Sequence, residues 1–215
     1  MGFVQGLRAK LAAGWFGRLF AKKKQVKIGI YGPPNAGKTT LANRMVRDFA
    51  GDVLGAASAV PHETRRVRSR ENVLVQANGR SLQIDVIDTP GIATKIDFHE
   101  FVEKYGLTEE DARRRAKEAT EGVIEAIRWL EEVDGIVLVM DCAEDPFTQV
   151  NVTILGNLEA RKKPVVIAAN KIDLPNASPA ALKAAFPQHP VVPISGMTGY
   201  NVEGLYETMI KHFGG

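Results

Sequence analysis

The stretch GPPNAGKTT, from Gly32 to Thr40, constrains the fold more than any other part of the chain. It follows QVKIGIY, in which Val26, Ile28 and Ile30 fall on one face at strand spacing. A helix is expected to begin near Lys38. Gly32, four residues, then Gly37, Lys38 and Thr39 make a strand–loop–helix unit shaped for phosphate. The glycines allow a tight turn in which backbone N–H groups converge on anionic oxygens, and the helix N-terminus adds its positive end. Lys38 is placed to bridge the outer phosphates, and the Thr39 hydroxyl to bind Mg²⁺. The cradle residues are Gly32, Asn35, Ala36, Gly37, Lys38, Thr39 and Thr40. The plain alternative is a strand-to-helix turn with incidental glycines.

The rest of the chain alternates strand-like and helix-like segments. NVLVQA and SLQIDVID flank Asn78-Gly79, a strong hairpin signal, and are expected to pair antiparallel. GIVLVMD (Gly135 to Asp141), PVVIAAN (Pro164 to Asn170) and the shorter VVPIS (Val191 to Ser195) are continuous apolar runs. They read as parallel strands covered on both faces. The longest helix follows Thr108, with an acidic first turn and Ala112, Ala116, Ala119, Val123, Ile127 and Leu130 as its apolar face. Further helices are expected over about 148–161, 178–185 and 202–213. This order predicts a mostly parallel α/β sheet with right-handed crossovers.

Two more motifs fall at strand ends. Asp88-Thr89-Pro90-Gly91 closes the third strand. There Asp88 would hold Mg²⁺ through a water, and the Gly91 N–H would meet the terminal phosphate. NKID, from Asn170 to Asp173, follows a parallel strand and so lies in the crevice where such sheets bind ligands. The Asp173 carboxylate can accept from the ring N–H and amino group of guanine; adenine offers neither in that arrangement. Asn170 would reach the purine edge, and the Lys171 stem would cover its face. SGMTG closes the pocket, with the Ser195 and Gly196 backbones as donors to the guanine carbonyl.

With PPNAGKTTL, PHETRR, DTPG, NKID and VPISGMTGYNVEGL in this order, the chain resembles the Era-like group of translation-factor-related GTPases from about Gln25 onward. The resemblance implies a P-loop NTPase G domain: a six-stranded, mostly parallel sheet with one antiparallel strand and helices on both faces. It also implies GTP and GDP binding, Mg²⁺ and hydrolysis. By the same comparison Thr64 caps Mg²⁺ in the GTP state, while Glu63 stands where a second threonine is frequent. Lys38, Asn35, Thr64 and Gly91 are then the residues that carry catalysis. True Era proteins continue into an RNA-binding KH domain that this sequence does not contain, so a ribosome or RNA partner is not simply carried over. The segment from Ile92 to Val133 is longer than the family's second switch and helix, which predicts a modest insertion.

Ile92 follows Gly91 where many nucleotide switches carry a water-orienting glutamine. In related GTPases with PNxGK the asparagine is associated with K⁺ beside the phosphates. Asn35 is therefore a candidate K⁺ ligand, and the cation would do the work of an arginine finger. A residue supplied by a partner, or Arg65 or Arg66 in cis, are the alternatives. Cation-dependent relatives pair through their switches, which leaves a homodimer open.

Composition bears mainly on the ends of the argument. Cys142 is the only cysteine, so no internal disulfide forms. No apolar run reaches membrane-span length. Residues 1–24 hold Arg8, Lys10, Arg18, Lys22, Lys23 and Lys24 and no acid, while the remaining chain is net acidic. This basic arm also carries Phe3, Trp15, Phe16 and Phe20. Three readings stay open: an interfacial helix on an anionic membrane, a contact with RNA or a ribosomal surface, and an extra helix packed on the G domain. The division is thus residues 1–24 as arm and 25–215 as G domain, in a cytoplasmic protein peripheral to the inner membrane face on the first reading.

Overall fold

A computed structural model describes residues 25–50, 67–93 and 96–214. In order these form β1 (Val26–Tyr31), α1 (Lys38–Ala50), β2 (Arg68–Ala77), β3 (Arg80–Asp88), α2 (Phe98–Tyr105) and α3 (Glu109–Glu132). Then follow β4 (Gly135–Asp141), α4 (Gln149–Ala160), β5 (Val165–Asn170), α5 (Pro179–Ala185), β6 (Val191–Pro193) and α6 (Val202–Phe213). The strands build one six-stranded sheet in the order β2-β3-β1-β4-β5-β6. Only the β2–β3 pair is antiparallel. The expected α/β architecture and the hairpin at Asn78-Gly79 are both present. In that turn both residues take positive φ, 48° and 71°, as a two-residue hairpin requires.

Every residue of β4 and of β5 is buried, which explains their unbroken apolar runs. Alternate residues feed two cores. Val26, Ile28, Ile30, Val137 and Val139 join Leu41 and Met45 of α1 and Leu205, Met209 and Phe213 of α6 on one face. Tyr31, Ile136, Leu138 and Met140 join Leu130 of α3, Leu155 and Leu158 of α4 and Leu182 of α5 on the other. Each such side chain contributes about 1.5–3 kcal/mol on burial, so the two layers together hold the sheet without a staple. β2 carries a bulge between Arg70 and Val73. The buried Asp85 carboxylate pins it, accepting from the Asn72 N–H at 2.9 Å and from Gln25 Nε2 at 2.6 Å.

Residues 98–132 form a helical hairpin. Asp97 caps α2 by accepting from the His99 N–H, and Gly106 ends the helix at φ 64°. Thr108 then caps α3, its hydroxyl accepting from the Asp111 N–H at 3.2 Å. α2 itself is absent from the periodicity reading, because eight residues are too few to display it. Phe101 is buried, and the Arg113 guanidinium lies 4.0 Å from the centre of the Phe98 ring.

The apolar face expected for α3 needs correction. Its buried residues are Ala112, Ala119, Gly122, Ala126 and Leu130, whereas Ile127 is 41% exposed and Ile124 47%. The inward face thus mixes small residues with Leu130. Tyr31, at the end of β1, reaches the helix backbone, and its hydroxyl donates to the Ala126 carbonyl at 3.1 Å.

Candidate functional site

Parallel registration brings the motifs to one edge. Ile30 of β1 stands beside Asp88 of β3, and Asp141 of β4 beside Asn170 of β5. The loops after β1, β3, β5 and β6 therefore leave the sheet at its carboxyl edge, where open α/β sheets bind ligands.

The first two loops are stitched together. The Thr89 hydroxyl donates to the Ile30 carbonyl at 2.7 Å, and the Ile92 N–H to the Gly32 carbonyl at 3.2 Å. Gly91 lies so close to the cradle that an added Cβ would stand 2.8 Å from the Pro34 Cα and 3.2 Å from Lys38 Nζ. Only glycine lets the third-strand loop approach the lysine this way. Ile92 turns inward and packs in the core with Tyr31 and Leu130. Its side chain is therefore packing material, which explains why a hydrophobic residue serves where a glutamine is expected.

Lys38 and Asp88 show what the cradle lacks. Lys38 is buried and donates to the Pro33 carbonyl at 2.6 Å. Burial lowers its pKa to about 8, a fall partly opposed by the nearby Asp88 charge. Asp88 is fully buried, and its Oδ2 accepts from the Thr39 hydroxyl at 2.9 Å. Burial raises its pKa, against the Thr39 hydrogen bond and the charges of Lys38 and Arg68. Asp88 Oδ1 is buried and has no hydrogen-bond partner among the described residues. A desolvated lysine, a hydroxyl and an orphaned carboxylate oxygen at a helix N-terminus form a donor set that fits an anion with a hard divalent cation. Mg²⁺ needs only one or two protein oxygens beside phosphates and waters. Thr39 and Asp88 are thus brought together as expected. Thr64, with Glu63, Arg65 and Arg66, lies outside the described residues, as does the arm.

Asn35 has φ 59°, a left-handed conformation that asparagine tolerates. Its side chain is exposed and is not hydrogen-bonded to any described residue.

In the base region the loops are tied to one another by contacts distant in the chain. Asn170 is buried, and its carboxamide spans two loops: Nδ2 donates to the Ala36 carbonyl at 2.8 Å, and Oδ1 accepts from the Gly196 N–H at 2.8 Å. It is a strut between the cradle and the last loop. The Gly196 N–H is thereby occupied, and the Ser195 N–H donates to the Tyr200 carbonyl at 3.1 Å. The two donors expected for the guanine carbonyl are both engaged within the loop system. The reason is local: buried N–H groups find protein partners wherever these are in reach. Lys171, at φ 67°, is held by Asp141, its Nζ 2.6 Å from Oδ2. That buried aspartate also accepts from the Ala143 N–H at 3.0 Å. Sequence reasoning passed over Asp141, though an acid ending the apolar run GIVLVMD was the available signal. Asp173 is exposed in the loop that follows. The single cysteine, Cys142, is buried in the core.

Comparison with known proteins agrees with this geometry. The chain matches the family described as 50S ribosome-binding GTPase over residues 27–171. It is 32% identical over 190 residues to GTPase Era of Clostridium acetobutylicum, an alignment covering 86% of this chain and 54% of that protein. Among solved structures it is similar to Aquifex aeolicus Era bound to GDP and aluminium fluoride, with a TM-score of 0.66 and 26% identity. That match covers 88% of this chain and 57% of the other. An Era complex with MgGDPNP and a 16S ribosomal RNA segment matches with the same TM-score. The chain spans about half the length of the relatives it matches. The cradle, the Thr39–Asp88 pair and the NKID strut together lie in a fold that matches Era's G domain, and the chain belongs to the P-loop GTPase family described as 50S ribosome-binding GTPase.

Proposed function

We propose that this chain binds GTP with Mg²⁺, hydrolyses it to GDP and phosphate, and acts as a nucleotide-dependent switch. The observation that carries the reading is the pair of complementary deficits in the cradle. Lys38 is desolvated and asks for negative charge, while Asp88 Oδ1 is buried without a donor and asks for positive charge or a bound water. A phosphate with its cation satisfies both. Bound Mg²⁺ would supply charge neutralisation at the phosphates; Thr39 would hold it directly and Asp88 through a water. Lys38 would grip the outer phosphates, the Gly91 N–H would meet the terminal one, and Asp173 would select guanine. Intrinsic turnover is slow on this reading, because Ile92 cannot orient the attacking water by hydrogen bonding.

The test is phosphate release from GTP, ATP and XTP by the wild type and by Asp173→Asn. The wild type hydrolyses GTP alone. The substitution replaces an acceptor by an amide that can donate to a second carbonyl, so preference moves from guanine to xanthine. Tighter binding of ATP by the wild type, or no nucleotide binding by monodisperse protein, would sink the proposal.

Asn35 supports a finer point. Its carboxamide is exposed at the cradle's edge, so we assign it to K⁺ beside the phosphates. K⁺ then speeds hydrolysis relative to Na⁺, and Asn35→Ala removes the difference; equal rates in the two salts would refute this. For the arm, six cations interleaved with aromatics favour an anionic lipid surface. Flotation with anionic liposomes, with and without residues 1–24, tests it. The competing partner is RNA, favoured by the Era relative's complex with 16S ribosomal RNA.

A further inference from the structure

Arg44 lies on α1, six residues beyond Lys38, and reaches away from the phosphates to the loop after β6. Its Nε donates to the Gly196 carbonyl at 2.9 Å and its Nη2 to the Met197 carbonyl at 2.8 Å. The loop is shaped to receive it. Gly199 has φ 88°, a left-handed conformation that favours glycine, and a Cβ there would stand 2.7 Å from Arg44 Nη1. The Met197 side chain is 73% exposed and does not anchor the segment.

Gly196 is consequently held from two sides: Asn170 takes its N–H and Arg44 its carbonyl. A trans peptide is planar, with its C=O and the next N–H antiparallel. Fixing the Gly196 carbonyl therefore fixes the direction of the Met197 N–H. The cation also neutralises two carbonyl dipoles that would otherwise repel each other at the tip of the loop.

We propose that Arg44 is a positioning residue for base recognition: from the helix that carries the phosphate cradle, it sets the main-chain geometry of 195–197 against the carbonyl edge of guanine, and so governs how long the nucleotide stays bound. The proposal rests on the reading of 170–173 and 195–199 as the base pocket. It adds a mechanical link, since a shift of α1 when phosphate enters would be passed through Arg44 to the base loop.

The experiment compares wild type, Arg44→Ala and Arg44→Lys as full chains. It measures melting without nucleotide, release of fluorescently labelled GDP, and affinities for GDP and for 2-aminopurine riboside diphosphate, which lacks the 6-carbonyl. Losing charge-assisted bonds predicts release of GDP roughly tenfold or more faster from Arg44→Ala. The analogue's affinity should change far less, and lysine, with one point donor, should restore part of the loss. Unchanged GDP release would overturn the proposal. So would equal weakening of GDP and the analogue, which marks a brace for the fold rather than for base recognition. A wild type without preference for GDP over ADP would remove the pocket itself and the proposal with it.

Discussion

Replacing Asn170 by alanine separates two roles that the chain's NKID motif leaves entangled. In the structure the carboxamide makes two 2.8 Å hydrogen bonds to main-chain groups, and the residue is only 3% exposed. Alanine leaves the Ala36 carbonyl and the Gly196 N–H without those partners. An orphaned buried group costs about 1–3 kcal/mol, giving about 2–6 kcal/mol for the pair, with water entry favouring the lower end. For a domain of this size each kcal/mol moves the midpoint by about 2–4 °C, so melting without nucleotide should fall by about 5–15 °C. Asn170→Asp should do no better. It keeps the acceptor for Gly196 but sets a carboxylate oxygen against the Ala36 carbonyl. The assay is thermal unfolding of nucleotide-free protein, with GDP affinity measured in parallel. A side chain whose purpose is to read the purine would leave the empty protein's melting unchanged and weaken only GDP. That result would refute the strut.

Two further outcomes follow from buried groups at the cradle. Burial holds Lys38 near a pKa of about 8 against an ordinary 10.5, so the unfolded chain binds more protons between these values and the empty protein gains stability as pH rises through that window. Bound phosphate restores the charged lysine. GDP binding should therefore take up protons near pH 9 and weaken as pH rises above about 8; calorimetry in buffers of different ionisation heat measures this, and no uptake would refute it. Ile92→Ala should cost about 2–4 kcal/mol of stability by emptying a core position while the folded protein's turnover stays unchanged. A large fall in turnover with unaltered melting would show that the side chain acts on the reaction.

Much of this was open to the sequence because local chemistry repeats along it. An apolar strand, a glycine-spaced loop and a lysine predict the cradle wherever they occur, since the backbone amides that bind phosphate belong to neighbouring residues. β4 and β5 are likewise announced by runs without a polar break, and α6 by its 202–213 periodicity, which the structure matches as Val202–Phe213.

What escaped that reading depends on partners distant in the chain. The inward face of α3 is decided by what packs against it, and alanines, Gly122 and Leu130 are buried while Ile124 and Ile127 face out. Asn170 meets Ala36 across 134 residues, and Arg44 meets Gly196 across 152. No spacing rule connects such pairs. Periodicity reports which side of an element is apolar, whereas the destination of a hydrogen bond is set only when the sheet has brought its strand ends to a common edge.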